Sequence, residues 1–161
     1  MSPLWGSHLC IALRPDAIAL VRFSCRNAKI LEYHTAPCPY NDPNAGWAVA
    51  LHTLSEILSK EPKWTGASVT IILSHHYVQY AVIPWTDNVR THYERIELAR
   101  LRFIDIFGEH NAYGDIRVSP GNPGMPWLAC AINAQLKEEL RVICKNSGST
   151  LSSIQPFLMA A

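Results

Sequence analysis

The sequence predicts an α/β domain built on a mixed sheet, and three observations carry that prediction. Three strand-like runs stand together near the start of the chain. Apolar residues at helical spacing then alternate with further strand-like runs, and a short unbroken apolar run, Val69–Leu73, arrives directly after a helix as a parallel crossover would. At 161 residues the chain has the length of one ordinary domain and can bury a core without disulfides or metals. One domain over residues 1–161 is therefore the expectation.

The opening strands are expected at His8–Leu13, Ala17–Ser24 and Lys29–Pro37, divided by Arg14-Pro15-Asp16 and Cys25-Arg26-Asn27, both of which carry turn chemistry. In the second run Ile18 and Leu20 alternate with Ala19, Val21 and Phe23, the period of two that a sheet requires. The three runs read as an antiparallel meander. A loop rich in Pro, Asn and Asp follows, and Trp47, Leu51, Leu54 and Leu58 then recur at helical spacing up to Pro62, with Asn44 as N-cap. Val69–Leu73, apolar almost throughout, is expected to be covered on both faces inside the sheet.

Tyr77–Ile83 is a further strand. Pro84-Trp85-Thr86 leads from it into a long helix that gathers Ile96, Ala99, Phe103 and Ile106 on one face and stops at Gly108. The same helix turns Arg90, Glu94, Glu97, Arg100 and Arg102 outward, the mixed charge of a solvated face. Asp115–Ser119 and Trp127–Ile132 flank the turn-rich PGNPGMP as a hairpin with a long tip. The last helix sets Leu136, Leu140 and Ile143 on one face, with Asn133 as N-cap and Gly148 as stop, and the strand Thr150–Ile154 follows. This order matches a ribonuclease H-like layout, a mixed sheet with helices on both faces, enlarged by a hairpin and a helix.

Composition excludes several functions. A net charge of +1 with 17% charged residues gives no basic field to hold a phosphate backbone, so nucleic acid is not an expected partner. Cys10, Cys25, Cys38, Cys130 and Cys144 form no CxxC pair and are odd in number, so they read as reduced and mostly buried thiols rather than a disulfide framework. MSPLWGSHLC has no basic segment followed by an apolar one of useful length, and no apolar run reaches the roughly 20 residues a membrane span needs. A cytoplasmic address without direct membrane insertion is the expectation.

Leu73–Trp85, LSHHYVQYAVIPW, resembles a segment of the bacterial PilM and GspL type of protein, actin-like cytoplasmic components of type IV pilus and type II secretion machines. In that group a strand ending in Leu-Ser and a polar pair leads to a Val-Arg-Tyr-like strand, a Pro-Trp and a long helix; here Gln79 stands at the Arg position. The resemblance extends from the opening meander through Phe103 and Phe107, the LACAIN strand and the terminal SSIQP, so it covers most of the chain. It implies half of an actin-like fold acting as a non-catalytic scaffold at the inner-membrane face, which docks the tail of an inner-membrane pilus or secretion protein or the secretion ATPase. The alternative is an actin-like, nucleotide-dependent ATPase lacking its second half. The ending SSIQPFLMAA, just after a strand, reads as a fragment of a longer protein.

Actin-like ATPases hold phosphates with a first hairpin in which an Asp and a Gly lie close together, because the backbone must approach the phosphate and a carboxylate must orient Mg²⁺. The matching stretch, CIALRPDAIAL, offers Ala12 and Arg14, a Pro15 without an N–H, and Asp16, which reads as a turn residue. No GxxxxGK[ST] pattern is present. A two-metal nuclease would need several converging carboxylates, the first strand has none, and Glu56 reads as the solvent side of its helix. His75 and His76 are adjacent, so on a strand they would point to opposite faces and chelate poorly. They read as polar residues closing a strand or, more sharply, as partner contacts at a strand end. Trp85, Trp127, Tyr77 and Tyr80 read as core, with an interface role as the sharper alternative. No catalytic, cofactor or metal residue is expected. The expected partner-binding set is Ser74, His75, His76, Tyr77, Gln79, Tyr80 and Trp85, with strand addition beside Tyr77–Ile83 as the mode.

Overall fold

The computed structural model describes residues 6–39, 46–111, 114–119 and 121–160. In chain order the elements are β1 (Ser7–Leu13), β2 (Ala17–Ser24), β3 (Ile30–Pro37), α1 (Ala48–Lys60), β4 (Ser68–Leu73), β5 (Val78–Ile83), α2 (His92–Phe107), β6 (Asp115–Val118), β7 (Trp127–Ile132), α3 (Ala134–Asn146) and β8 (Thr150–Pro156). They fall into two compact units, Met1–Tyr77 with Leu136–Ala161, and Val78–Gln135.

The first unit carries a five-stranded mixed sheet in the order β3-β2-β1-β4-β8. The expected meander is there: β1 with β2 and β2 with β3 are antiparallel, while β4 lies parallel to β1 on one side and to β8 on the other. Arg14 N–H closes the first turn on the Ala17 carbonyl at 3.1 Å. The second turn takes Ala28 through φ 54°, a left-handed step that few non-glycine residues make.

One sheet face is sealed. Leu9, Ile11 and Leu13 on β1 lie beside Leu20 and Ile18 on β2 and beside Val69, Ile71 and Leu73 on β4, and all eight are 0% exposed. α1 buries Ala50, Leu51, Leu54, Ile57 and Leu58, and α3 buries Leu136, Leu140 and Cys144, with Ile143 only half-buried. The opposite face, with Cys10, Ala12, Val21, Thr70 and Ile72, is half-buried. The expectation that Val69–Leu73 is covered on both faces is therefore corrected: burial along β4 alternates strictly. The open side carries polar pairing, His8 Nε2 to Thr70 Oγ1 at 2.9 Å and Thr70 Oγ1 to Ser153 Oγ at 3.1 Å, which an apolar cover would isolate from water.

The expected N-cap Asn44 lies outside the described residues. α1 has Trp47 at its N-cap position without a side-chain cap bond, and the Trp47 indole N–H donates instead to Glu139 Oε2 at 3.1 Å. At the far end Glu61 N–H closes on the Ile57 carbonyl at 3.2 Å, and Pro62 then opens a short 3-10 turn. Asn133 caps α3 as expected, its Oδ1 accepting Gln135 N–H at 2.8 Å.

The second unit is a three-stranded antiparallel sheet in the order β5-β7-β6 under α2. Tyr77–Ile83 therefore does not extend the first sheet, and it pairs with β7 rather than with Val69–Leu73. Ala81, Ile83, Ala99, Phe103, Ile116, Val118, Trp127, Ala129 and Ala131 form the core of this unit. Ile106 was expected on the buried face of α2 but is 48% exposed; the place one turn beyond Phe103 belongs to Phe107, whose ring stacks on Phe103 at 5.7 Å. In the β6–β7 loop a Cβ on Gly121 would stand 2.7 Å from Trp127 Cδ1, so only glycine lets that loop pass over the indole.

α2 begins with a capping box that the THYE spacing encodes. Thr91 Oγ1 accepts Glu94 N–H at 3.2 Å, and Glu94 Oε2 accepts Thr91 N–H at 2.9 Å and Arg90 N–H at 2.8 Å. These backbone donors hold the Glu94 carboxyl below the usual carboxylate range. Thr91→Ala is expected to cost about 1 kcal/mol of stability, read as a lowered urea midpoint at unchanged slope. An unchanged midpoint would mean that the box contributes nothing.

Candidate functional site

β1 and β4 run parallel and end side by side at Leu13 and Leu73, and the carboxyl ends of the strands of an open α/β sheet are where such folds receive ligands. Ser74 N–H donates to the Leu13 carbonyl at 3.0 Å, tying the segment after β4 to the β1–β2 turn. In that turn the Arg14 guanidinium grips Asp16 with both arms, Nε to Oδ1 at 3.0 Å and Nη2 to Oδ2 at 2.8 Å. Arg14 thereby holds the Asp16 carboxyl below the usual range, and His76 acts in the same direction. The nearby carboxylate is thus committed to a guanidinium, and Pro15 supplies no N–H.

The predicted residues divide between the two units. In the first, Ser74 follows β4 and His75–Tyr77 form a 3-10 turn. The two imidazoles, expected on opposite faces of a strand, instead lie 4.0 Å apart with their planes 35° from parallel, because a turn and not a strand carries them. Ser74 Oγ lies 2.9 Å from His76 Nδ1, and Tyr77 N–H donates to the Ser74 carbonyl at 3.0 Å. In the second unit, Gln79 and Tyr80 stand on β5 opposite Ala131 and Cys130. Trp85 tilts over Trp127 at 5.0 Å and donates its indole N–H to Asp87 Oδ1 at 3.0 Å. Trp127 is core, as its sequence reading had it; Tyr77, Tyr80 and Trp85 are half-buried. Among the described residues no three His, Cys, Asp or Glu side chains are placed to hold a metal ion.

Three thiols, Cys38, Cys130 and Cys144, are buried, Cys10 is half-buried and Cys25 is exposed. Burial pushes Cys130 and Cys144 up to about 11. Two features escaped the sequence reading. One is a cleft of about 360 Å³ between α1 and α3, lined by Leu51, His52, Ser55, Glu138, Glu139, Val142 and Ile143. The other is the 59% exposure of Val82 on β5. No periodicity distinguishes either from core packing.

The β3-β2-β1-β4-β8 sheet with its helices is ribonuclease H-like, the layout of half an actin-like fold. Over 93% of its length the chain is similar to the cytoplasmic domain of EpsL, an inner membrane component of the type II secretion system of Vibrio cholerae, at a TM-score of 0.66 and 12% identity, covering 57% of that chain. Over 92% it is similar to the PilM-PilN type IV pilus biogenesis complex, at a TM-score of 0.63, 12% identity and 47% of that chain. A Bacteroides thetaiotaomicron protein of actin-like ATPase fold and unknown function is similar at a TM-score of 0.56 and 10% identity, with 52% of that chain covered. The chain thus spans about half the length of these solved structures. No protein-family model and no curated protein matches it. The likeness is one of fold, and it agrees with the resemblance read from Leu73–Trp85. Among the described residues no helix is long and apolar enough to cross a membrane.

Proposed function

We propose that this chain is a non-catalytic cytoplasmic adaptor of a pilus-assembly or type II secretion machine, working at the inner-membrane face by binding the tail of a membrane component or the secretion ATPase. The observation that carries the reading is the fold it has in common with the cytoplasmic domain of a secretion component and with a pilus biogenesis complex. The Arg14-Pro15-Asp16 turn supports the non-catalytic part, since its carboxylate is already bound to a guanidinium. A nucleotide-dependent ATPase is the second reading, favoured by the actin-like fold alone.

Calorimetry separates the two. Titration with ATP and Mg²⁺ is expected to give no binding heat, and a micromolar dissociation constant would replace the adaptor by the ATPase. The adaptor is tested directly by co-purifying the tagged chain from its native cells. Identification of an inner-membrane pilus or secretion protein, or of the secretion ATPase, among the captured proteins is the expected result. Recovery of none of them counts against the reading.

A further inference from the structure

Among the described residues four strands form the edges of the two sheets, and three of them are blunted. On β3 Leu31 is an extra residue, with Glu32 opposite Arg22 and Ile30 opposite Phe23, and the strand ends at Pro37. On β8 Ser152 is the extra residue, between Leu151 opposite Val69 and Ser153 opposite Thr70, and the strand ends at Pro156. β6 is four residues long and carries the Asp115–Arg117 ion pair at 3.6 Å. Bulges, prolines, charges and short length are the devices by which sheet edges avoid further pairing. β5 has none of them: VQYAVI is uncharged, proline-free and six residues long, and it keeps an unshifted register with β7 throughout.

The ladder fixes which backbone groups β5 presents. Ser119 N–H donates to the Leu128 carbonyl at 2.8 Å, so Leu128 turns its carbonyl toward β6. Successive carbonyls of a strand alternate, so Trp127, Ala129 and Ala131 turn theirs toward β5, where they face Ile83, Ala81 and Gln79. The alternate positions of β5, Val78 and Val82 among them, therefore aim N–H and C=O away from β7. Val82 is 59% exposed while Val78 is only 7% exposed, so the outward side of β5 is approachable at its Val82 end.

We propose that β5 is an acceptor edge, which an extended and uncharged segment of another protein lengthens by pairing alongside Val82. The segment is extended because only another backbone matches alternating donors and acceptors, and affinity then comes from main-chain bonds. It is uncharged over the paired stretch because neither β5 nor its neighbour β7, WLACAI, holds a charge that could compensate one taken out of water. This deepens the adaptor reading and rests on it for the source of the segment, though not for the chemistry of the edge.

The structure also selects the variant. Gln79→Pro would remove an N–H that faces β7 and damage the sheet itself, whereas Val82→Pro removes an outward donor and fills the approach with ring carbons, a place where edge strands tolerate proline. The probe is a phage-displayed library of linear peptides of roughly ten residues, somewhat longer than one strand. Selected peptides are expected to be uncharged with period-two alternation, and to slow amide exchange at Val82. Val82→Pro should bind them about tenfold or more weakly while keeping the wild-type circular dichroism, and Val82→Thr, which retains the N–H, should bind within about twofold. An empty selection, helical or charged binders, or undiminished binding by folded Val82→Pro would each overturn the proposal. So would dimerisation of the chain alone that Val82→Pro abolishes, since the occupant would then be a second copy. Strand-like binders without any captured envelope protein uphold the edge and sink the adaptor reading; envelope capture that survives Val82→Pro does the reverse.

Discussion

Phe103→Ala is expected to unfold the Val78–Gln135 unit while leaving the first unit folded. Phe103 is fully buried at the centre of the β5-β7-β6 core, against Phe107 and within a cluster whose other members include four alanines. Alanines cannot collapse into the space a ring leaves, so the loss falls near the full large-to-small cost, about 3–5 kcal/mol. A unit of roughly 60 residues has a total stability of the same size. The readout is built in. Cys130 on β7 is 0% exposed with its thiol pushed up to about 11, so it reacts only when this unit opens. Cys144, equally buried, reports on the other unit, and exposed Cys25 gives the unhindered rate. Thiol labelling of Cys130 should accelerate by about two orders of magnitude or more in Phe103→Ala, with Cys144 changing only a few-fold. Continued protection of Cys130, or equal acceleration at both sites, would refute the expectation.

Where the sequence was informative, a local cause produced the structure. The opening meander is legible because Arg14-Pro15-Asp16 and Cys25-Arg26-Asn27 interrupt a period of two, and the strands end where those turns begin. Asn133 starts α3 through its side-chain oxygen and Gly108 ends α2 through its backbone. The division of the strands into two sheets has no such local cause. Tyr77–Ile83 has the pattern of a sheet strand whether its neighbour is Val69–Leu73 or Trp127–Ile132, and only long-range pairing decides. Helix phase fails for a related reason: Ile106 and Phe107 are both apolar, and the drift of a 3.6-residue turn against the underlying sheet selects the ring. At the candidate site the polar residues Ser74, His75 and His76 were legible, but the close, tilted approach of the two imidazoles depends on a 3-10 turn, and the edge position of β5 depends on its long-range pairing with β7.

Ile71 and Ile72 are chemically identical neighbours on the central strand β4, and they are expected to respond very differently to truncation. Ile71 is 0% exposed, lies between Ile11 on β1 and Ile154 on β8, and faces the side that α1 and α3 seal. Ile71→Ala should cost about 2–5 kcal/mol, because the surrounding side chains are held by the ladder and cannot close the cavity. Ile72 points the other way, between Ala12 and Gln155, on the face that also holds Cys10, Val21 and the His8–Thr70–Ser153 hydroxyl chain. That face is half-buried, so water already reaches part of Ile72, and Ile72→Ala should cost about 1 kcal/mol, roughly the transfer term alone. Urea unfolding of the two variants, followed by the Cys144 thiol as well as by circular dichroism, measures the difference. Equal costs would mean that β4 is covered on both sides, as its apolar run first suggests, and that the face of the sheet around Ile72 is core rather than surface.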